Sequence, residues 1–474
     1  MRRFIARYAV LGGALRELWV IFGVKVIAIL AYAVMNSTLV LWLSSDLGYD
    51  DRQAGYIVAA WSALMSFCTV LVGAFTDAVG IRKALLLGML VCLVSRTVMS
   101  LTQEPWAAVT MGLMPLALGE ALMTPVMVAA VKRYSTVAQR SMAFAVFYTM
   151  MNVGFAAAGA LFDAVRTRLG ETTLHALPGI TTGISTYRIL FLLSLGLTLV
   201  GGLLVYALLR EGVAITGAGA VTRTAPGPRR SLWQACRGAG TDTGRIFKGL
   251  WKDTGIYRFL LFLVLVVGVR LIFFHMFYTF PKYAIRELGA GAPIGQLFGV
   301  LNAVTVIVLV PIVGALTHNV SSYRMVTVGS AIAAFSVFLV ALPAELYTGL
   351  AQGWPGYLIG HLWLGIEGEL HPLYVAIALF VLVLSIGESL WSPRLYEYTV
   401  SVAPEGHEAS YMSLSILPFF LAKLGVGALS GLLLSSYCPE TGPRSCETMW
   451  LIIGVMALAT PIGLIAFRRF LKTC

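Results

Sequence analysis

Long apolar runs constrain this chain more than any other feature of its sequence. A helix that spans a bilayer needs about 20 mostly apolar residues. Twelve runs of about this length occupy residues 20–43, 54–76, 84–101, 106–131, 141–162, 189–209, 256–280, 294–317, 325–342, 372–393, 412–435 and 449–467. Only 12% of the residues are charged, whereas soluble domains average about 25%. The sequence therefore predicts an all-α polytopic membrane protein with twelve transmembrane helices.

The positions of Lys and Arg predict which side of the membrane each connection faces. If both termini lie in the cytoplasm, the connections on that side carry 22 basic residues and those on the opposite side carry 7. Cytoplasmic connections typically show such an excess. We therefore expect a multi-pass protein of the plasma (inner) membrane with both termini cytoplasmic. Basic loops that face anionic lipid also account for the net charge of +12, so nucleic acid is not expected as a partner.

A long polar stretch divides the apolar runs into two sets of six. The predicted organisation is an N-terminal six-helix bundle at residues 1–209, a cytoplasmic linker at 210–255 and a C-terminal six-helix bundle at 256–474. Within the linker, residues 244–253 have the composition of a basic amphipathic helix that lies on the membrane surface.

Three short segments recur in the two halves in the same order. VGAFTDAVGIRK (72–83) matches VGALTHNVSSYR (313–324), and GEALMTP (119–125) matches GESLWSP (387–393). More weakly, NVG in the fifth run matches KLG in the eleventh. Each pair joins one run to the run six places later, which indicates duplication. Parallel six-helix repeats, related by an axis along the membrane normal, are the plan of the major facilitator fold.

Residues 72–83 resemble the signature of the major facilitator superfamily between helices 2 and 3, Gly-x-x-x-Asp-x-x-Gly-x-Arg-Lys. The matching residues are Gly73, Asp77, Gly80, Arg82 and Lys83. The resemblance implies that the aspartate caps a neighbouring helix and that the basic pair latches the outward-open state. In the second copy, His318 and Tyr323 replace the aspartate and the arginine. We therefore expect a strong latch in the first half only.

Other motifs are similar to those of the proton-coupled oligopeptide transporters. They are FYTMMNVG (147–154), GESLWSP with VAP at 402–404, and TLVLWL (38–43). The charged positions of that family differ here. That family carries Glu-x-x-Glu-Arg on helix 1, and the three charged positions are Lys25, Ala28 and Ile29 here. The lysine that it carries on helix 4 is replaced by Thr124, and the acid on its helix 7 is replaced by Arg270. The resemblance thus implies a diverged member with altered proton machinery, and a peptide substrate does not follow from it directly.

Titratable residues within the apolar runs are candidates for proton coupling, because a charge at the bilayer centre costs at least about 2.5–3.5 kcal/mol. Glu120 and Glu388 occupy equivalent positions in the two halves, so we expect them to face one cavity. Movement between wet and dry surroundings would then load and release a proton. Glu388 is the first choice, with Lys25 or Lys423 as its counter-charge. Glu120 is the second choice, with Arg270 or Lys25 as its counter-charge.

Two alternatives remain open for these residues. Either glutamate can instead belong to a permanent ion pair that locks helices together. His275 is a third coupling candidate because of its titration range, although a buried histidine is more often simply hydrogen-bonded. Arg96 lies on a helix that is usually peripheral, so we expect it to snorkel to the membrane surface or to contact another subunit.

The predicted substrate-binding residues combine cations with aromatic and amide groups: Lys25, Tyr32, Tyr148, Asn152, Arg270, Trp391 and Lys423. Such groups suit an organic, partly polar ligand, although each aromatic residue can equally serve helix packing. The three cations favour an anionic or zwitterionic solute.

Cys438 and Cys446 lie together in the last external loop, where we predict a disulfide, with two free thiols as the alternative. No metal cluster, catalytic triad or nucleotide-binding Gly-x-x-x-x-Gly-Lys-[Ser/Thr] motif occurs, so no cofactor, metal or enzymatic activity is expected.

The sequence therefore predicts a monomeric secondary-active transporter. It would move a small organic, peptide-like, anionic or zwitterionic solute by alternating access, with proton coupling. One alternative is a proton-driven exporter or drug antiporter of the same fold. Less favoured are a membrane-embedded enzyme and a sensor that does not transport.

Overall fold

The computed structural model describes residues 9–171, 173–177, 180–215, 221–223, 254–317, 320–402 and 417–471. Its long helices are labelled α1 to α12 in chain order. They are α1 (Arg16–Ser45), α2 (Asp51–Val79), α3 (Ile81–Leu101), α4 (Pro105–Tyr134), α5 (Val137–Leu169), α6 (Thr186–Leu208), α7 (Thr254–Tyr278), α8 (Gly295–Val300 continued by Leu301–Leu316), α9 (Ser322–Ala341), α10 (Pro372–Val402), α11 (Leu417–Tyr437) and α12 (Cys446–Ala466).

All twelve predicted spans fall on these helices. Ten of them are long and apolar enough within the described residues to cross a membrane. The other two, α2 and α11, coincide with the second and eleventh predicted runs. The prediction of an all-α polytopic membrane protein is therefore confirmed.

Short elements occupy several connections. A nine-residue helix, Phe280–Leu288, follows α7. Strand β1 (Leu174–Leu177) pairs antiparallel with β2 (Ile180–Ser185), and β3 (Val213–Ile215) with β4 (Val221–Arg223). These two hairpins were not predicted. The proposed amphipathic helix at 244–253 lies outside the described residues.

A proline interrupts α4 beside one of the two recurring motifs. Pro125 has no backbone N–H, and its ring crowds the preceding turn of a helix. The helical hydrogen bonding of α4 is accordingly broken at residues 122–123, before Thr124 begins its second part. The equivalent Pro393 does not have this effect, because α10 continues through it.

The chain forms two compact units that interleave along the sequence. Unit 1 comprises residues 1–35, 64–158 and 188–248, and unit 2 comprises 36–63, 159–187 and 249–474. Unit 1 thus holds most of α1 to α6. Unit 2 holds α7 to α12 together with the end of α1, the start of α2 and the end of α5. The sequence-based division at residues 210–255 stays a prediction.

Glycines allow helices to approach closely within each unit. In unit 1, Gly88 of α3 faces Gly119 of α4, and a Cβ built on Gly119 would lie 3.0 Å from the carbonyl oxygen of Gly88. In unit 2, a Cβ on Gly55 of α2 would lie 2.7 Å from the carbonyl oxygen of Gly427 on α11. Small residues of this kind are common where membrane helices pack. The contact in unit 1 brings α3 against the part of α4 that carries Glu120.

Candidate functional site

A buried ion pair in unit 1 joins α3 to α4. Nη2 of Arg96 lies 2.6 Å from Oε1 of Glu120, and the two side chains are only 2% and 6% exposed. The other terminal nitrogen of Arg96 donates to the hydroxyl of Thr198 on α6. The expectation that Arg96 snorkels or contacts another subunit is therefore wrong. Its guanidinium is desolvated and bound within the first six helices.

Lys25 is another buried cation of unit 1. Its Nζ atom lies 3.3 Å from Oγ1 of Thr124 and 4.7 Å from the centre of the Phe147 ring, so it connects α1 with α4 and α5. Thr124 stands where the peptide-transporter resemblance places a lysine. The cation thus comes from α1 rather than from α4.

The remaining candidates in unit 1 lie on α1 and α5. Tyr32 is partly buried two turns after Lys25 on α1. Asn152 is buried and donates through Nδ2 to the carbonyl oxygen of Tyr148 in its own helix, at 3.0 Å. A cavity of about 10 Å³ beside Glu120 and Arg96 has room for a single water molecule at most.

Glu388 of α10 is partly buried in unit 2, and one of its partners is a neutral amide. Its Oε2 atom accepts a hydrogen bond of 2.9 Å from Nδ2 of Asn302 on α8. The same amide nitrogen lies 2.9 Å from Oγ of Ser385, one turn before the glutamate. Asn302 was not among the predicted site residues, although an amide inside the eighth apolar run was a usable signal.

Two more buried cations in unit 2 lie over tryptophan rings. The guanidinium carbon of Arg270 (α7) is 4.4 Å from the ring centre of Trp391 (α10). Nζ of Lys423 (α11) is 3.9 Å from the ring centre of Trp61 (α2). Such contacts contribute about 2 kcal/mol or more when the cation is desolvated. Trp61 was not among the predicted site residues, and Trp391 was.

His275 is completely buried in α7 of unit 2. Its Nδ1 atom lies 2.7 Å from Oγ1 of Thr279, one turn later. This contact fits the alternative of a simple hydrogen bond. A role in proton coupling stays a prediction.

The signature between α2 and α3 is described in part. Gly80 has a φ of 92°, which glycine adopts without the strain that a side chain would cause. Arg82 donates to the carbonyl oxygen of Tyr206 at 2.7 Å, and Nζ of Lys83 lies 2.6 Å from Glu211. The basic pair thus binds the end of α6 and the residues after it. The structure does not describe the surroundings of Gly73 or the side chain of Asp77. His318 and residues 403–404 of the other motifs also lie outside the described residues.

Ionic contacts in unit 2 form what we call the outer cluster: Asp51, Asp163, Arg166, Lys282 and Arg286. Asp51, at the start of α2, lies 2.7 Å from Nζ of Lys282 and 2.9 Å from Nη1 of Arg286, both on the helix after α7. Burial would raise the pKa of Asp51, but the hydrogen bond from Arg286 and the charge of Lys282 lower it below its ordinary value.

The outer cluster continues at the start of α8. Asp163, near the end of α5, accepts backbone hydrogen bonds of 2.9 Å from Gly295 and 2.6 Å from Gln296. Arg166 donates to the carbonyl oxygen of Ala292 at 3.0 Å. A carboxylate is favoured at a helix N-terminus because the first N–H groups have no partner within the helix. The cluster therefore ties α2 to the short helix after α7, and α5 to the start of α8.

A disulfide lies next to the outer cluster. Cys438 and Cys446 are bonded, as the sequence predicted, and they close the loop between α11 and α12. Arg286 donates to the carbonyl oxygen of Cys438 at 2.6 Å. The disulfide loop thus holds one of the two cations that bind Asp51.

Comparisons with known proteins agree with this architecture. A family model described as the Major Facilitator Superfamily matches residues 21–414. No curated protein matches the sequence.

Several solved structures share the fold. One is a peptide transporter POT in complex with sulfate, which has 18% identity and a TM-score of 0.68 over 96% of this chain and 95% of that chain. Another is a POT family transporter in complex with a thioalcohol conjugated peptide, with 16% identity and a TM-score of 0.71 over 98% and 100%. A third, in complex with 5-aminolevulinic acid, has 16% identity and a TM-score of 0.66 over 97% of each chain. The fold is thus that of transporters, and the chain belongs to the Major Facilitator Superfamily.

Proposed function

We propose that this protein is a secondary-active transporter that moves a small peptide-like solute, anionic or zwitterionic, by alternating access coupled to protons. The observation that carries the proposal is that three buried cations lie over aromatic rings on membrane helices of a transporter fold: Lys25, Arg270 and Lys423. Charged side chains within membrane helices are costly and typically mark a transport pathway. The protein would act as a monomer in the plasma membrane, with both termini in the cytoplasm.

The contacts of these cations support a carboxylate-bearing solute. Each lies over an aromatic ring, which attracts a cation without supplying an opposite charge. A carboxylate can replace or join such a contact through charge-assisted hydrogen bonds. Two of the fold relatives hold a conjugated peptide and 5-aminolevulinic acid. A solute that also carries an ammonium group would find an acid in Glu388.

Glu388 suits proton coupling better than Glu120 does. The Asn302 amide can donate a hydrogen bond to a carboxyl group whether that group is ionised or protonated. Protonation of Glu388 therefore preserves this contact. Protonation of Glu120, in contrast, would leave Arg96 as a buried cation without its counter-charge, which is costly. We accordingly assign coupling to Glu388 and a locking role to Glu120.

The outer cluster supports alternating access. It joins helices of the first six to helices of the second six on the predicted external side, through Asp51 and Asp163. A solute can enter from that side only if these contacts separate. Hydrogen bonds and ion pairs are suited to such a reversible closure, because water can replace them when they open.

Uptake into proteoliposomes tests the proposal. Radiolabelled dialanine and 5-aminolevulinate would be supplied outside, with and without a more acidic external buffer. We expect the acidic buffer to accelerate uptake by the wild-type protein. Glu388→Gln should lose this acceleration, whereas the exposed control Glu104→Gln should keep it.

Three results would contradict parts of this assignment. Unchanged acceleration in Glu388→Gln would remove that residue from coupling. Movement only out of preloaded vesicles would identify an exporter. Failure of both solutes, followed by failure of a wider ligand screen by thermal shift at two pH values, would oppose the substrate class.

A further inference from the structure

The connection between α9 and α10 has an unusual composition and structure. This outer connector, residues 343–371, contains four short helices: Ala344–Tyr347, Thr348–Ala351, Trp354–Gly356 and Tyr357–Trp363. It has three glutamates and two histidines but neither lysine nor arginine, in a chain with a net charge of +12. Its charge is thus opposite to that of the protein as a whole.

Large apolar side chains of the outer connector point away from the protein. The most exposed are Leu346 (65%), Leu350 (42%), Trp354 (72%), Tyr357 (57%) and Leu362 (70%). The first four lie one in each of the four short helices, at intervals of four, four and three residues. The residues turned inward are mostly small.

The inward side of the connector is tied to the membrane helices. The hydroxyl of Tyr347 donates to the carbonyl oxygen of Leu339 on α9, at 2.7 Å. Gly360 packs closely against Leu370, immediately before α10. Large residues outside and small residues inside are typical of a surface that faces lipid. Tryptophan and tyrosine are enriched where a membrane meets water.

A groove with both polar and apolar lining lies between the connector and the start of α10. Its volume is about 360 Å³, within the range of small-ligand sites. Its lining includes the polar groups of Thr348, Gln352, His361 and Glu369, together with Tyr357. The Tyr357 and His361 rings lie 5.5 Å apart. The hydroxyl of Thr348 already donates to the carbonyl oxygen of Glu345, at 2.8 Å. The amide of Gln352, the ring of His361 and one carboxylate thus face the same space.

We propose that this groove binds the headgroup of a phospholipid that carries a primary ammonium, while the exposed apolar side chains of the connector lie in the outer leaflet. We favour a lipid as the occupant because the connector directly joins two membrane-spanning helices, α9 and α10. The groove should therefore lie at the level of the lipid headgroups. Glu369 would receive the ammonium group. The amide of Gln352 would donate to the phosphate.

The binding is tested with purified full-length protein in detergent. Phosphatidylethanolamine, phosphatidylcholine and phosphatidylglycerol would be titrated separately while the melting temperature is followed. We expect the strongest stabilisation from phosphatidylethanolamine. Loss of a charge-assisted bond in Glu369→Gln should weaken its apparent affinity by about tenfold. The control Glu367→Gln, which changes an exposed acid outside the groove lining, should have no effect.

Two outcomes would overturn the proposal. Equal stabilisation by the three lipids, or an unchanged preference in Glu369→Gln, would exclude recognition of the ammonium. Stabilisation by free phosphoethanolamine as strong as that by the lipid would identify a soluble ligand instead.

Tryptophan fluorescence gives an independent measurement of the membrane contact. Lipids brominated near the headgroup quench tryptophans that lie at the membrane interface. We expect Trp354→Phe to remove part of the quenchable signal of the wild-type protein in vesicles. An unchanged quenchable signal would show that the connector does not lie in the outer leaflet.

Discussion

The ion pair between Arg96 and Glu120 allows a direct test of the locking role. Both side chains are at least nine-tenths buried, and their charged atoms are 2.6 Å apart. Removal of one partner leaves a buried charge, which costs about 3–5 kcal/mol. Loss of the hydrogen bond to Thr198 adds about 1 kcal/mol when Arg96 is the residue removed. Replacement of both partners by apolar residues of similar volume is close to neutral.

We therefore expect Arg96→Met and Glu120→Leu each to lower the melting temperature strongly, and the double variant to recover most of the loss. Melting temperatures of the four proteins in one detergent form a double-mutant cycle. Lys132→Met removes an exposed cation at the end of α4 and serves as the control, with little expected change. The cycle separates the pairwise contribution from the loss of packing.

Two results would refute the locking role. A double variant no more stable than the single variants would show that the pair does not stabilise the bundle. A Glu120→Gln protein with the wild-type melting temperature but without proton-driven uptake would identify Glu120 as a proton carrier instead.

Further predictions concern unit 2. The pKa of Asp51 is lowered. The stabilisation that ionised Asp51 provides is therefore present above the ordinary aspartate pKa of about 4, and it is lost only as the pH falls through the lowered pKa. Asp51→Asn should lower the melting temperature and leave the shape of the uptake profile between about pH 5 and 8 unchanged. Gly159→Ala would force a Cβ against Gly295 and should cost about 1–3 kcal/mol in unfolding experiments, whereas Gly425→Ala, which has open space, should change stability little. Lys423→Met should raise the KM for an anionic solute more than it lowers kcat, because it removes a cation from the proposed binding region.

The helical architecture was predictable because each membrane helix satisfies its backbone hydrogen bonds internally and needs an apolar surface. The helices extend beyond the apolar runs, however. α5 covers Val137–Leu169, whereas the predicted run is 141–162. Its polar end continues the helix and carries Asp163 and Arg166 of the outer cluster. Hydropathy detects the part of a helix within lipid and not the part outside it.

The candidate residues were predictable in type but not in partner. A charge within an apolar run indicates a site, but the group that it meets depends on how helices rotate and cross. The close contact between Gly88 and Gly119 brings Arg96 to Glu120. Neither glycine has a distinctive spacing that would reveal this pairing. Trp61 was missed for the same reason, because it becomes relevant only through its contact with Lys423. The amide of Asn302 inside an apolar run was a signal, but its contact with Glu388 also depends on packing.

The two recurring motifs show how a duplicated sequence can acquire different chemistry. Glu120 and Glu388 occupy equivalent positions, and each directly follows a glycine. Glu120 bonds to an arginine on α3, however, whereas Glu388 bonds to an asparagine on α8. In a duplicated bundle α3 corresponds to α9, and α8 corresponds to α2, so the partners come from non-equivalent helices. The repeat therefore preserves where each acid stands but not what it contacts. Since the contacts of a carboxylate determine whether it can exchange a proton, one copy can lock its bundle while the other titrates.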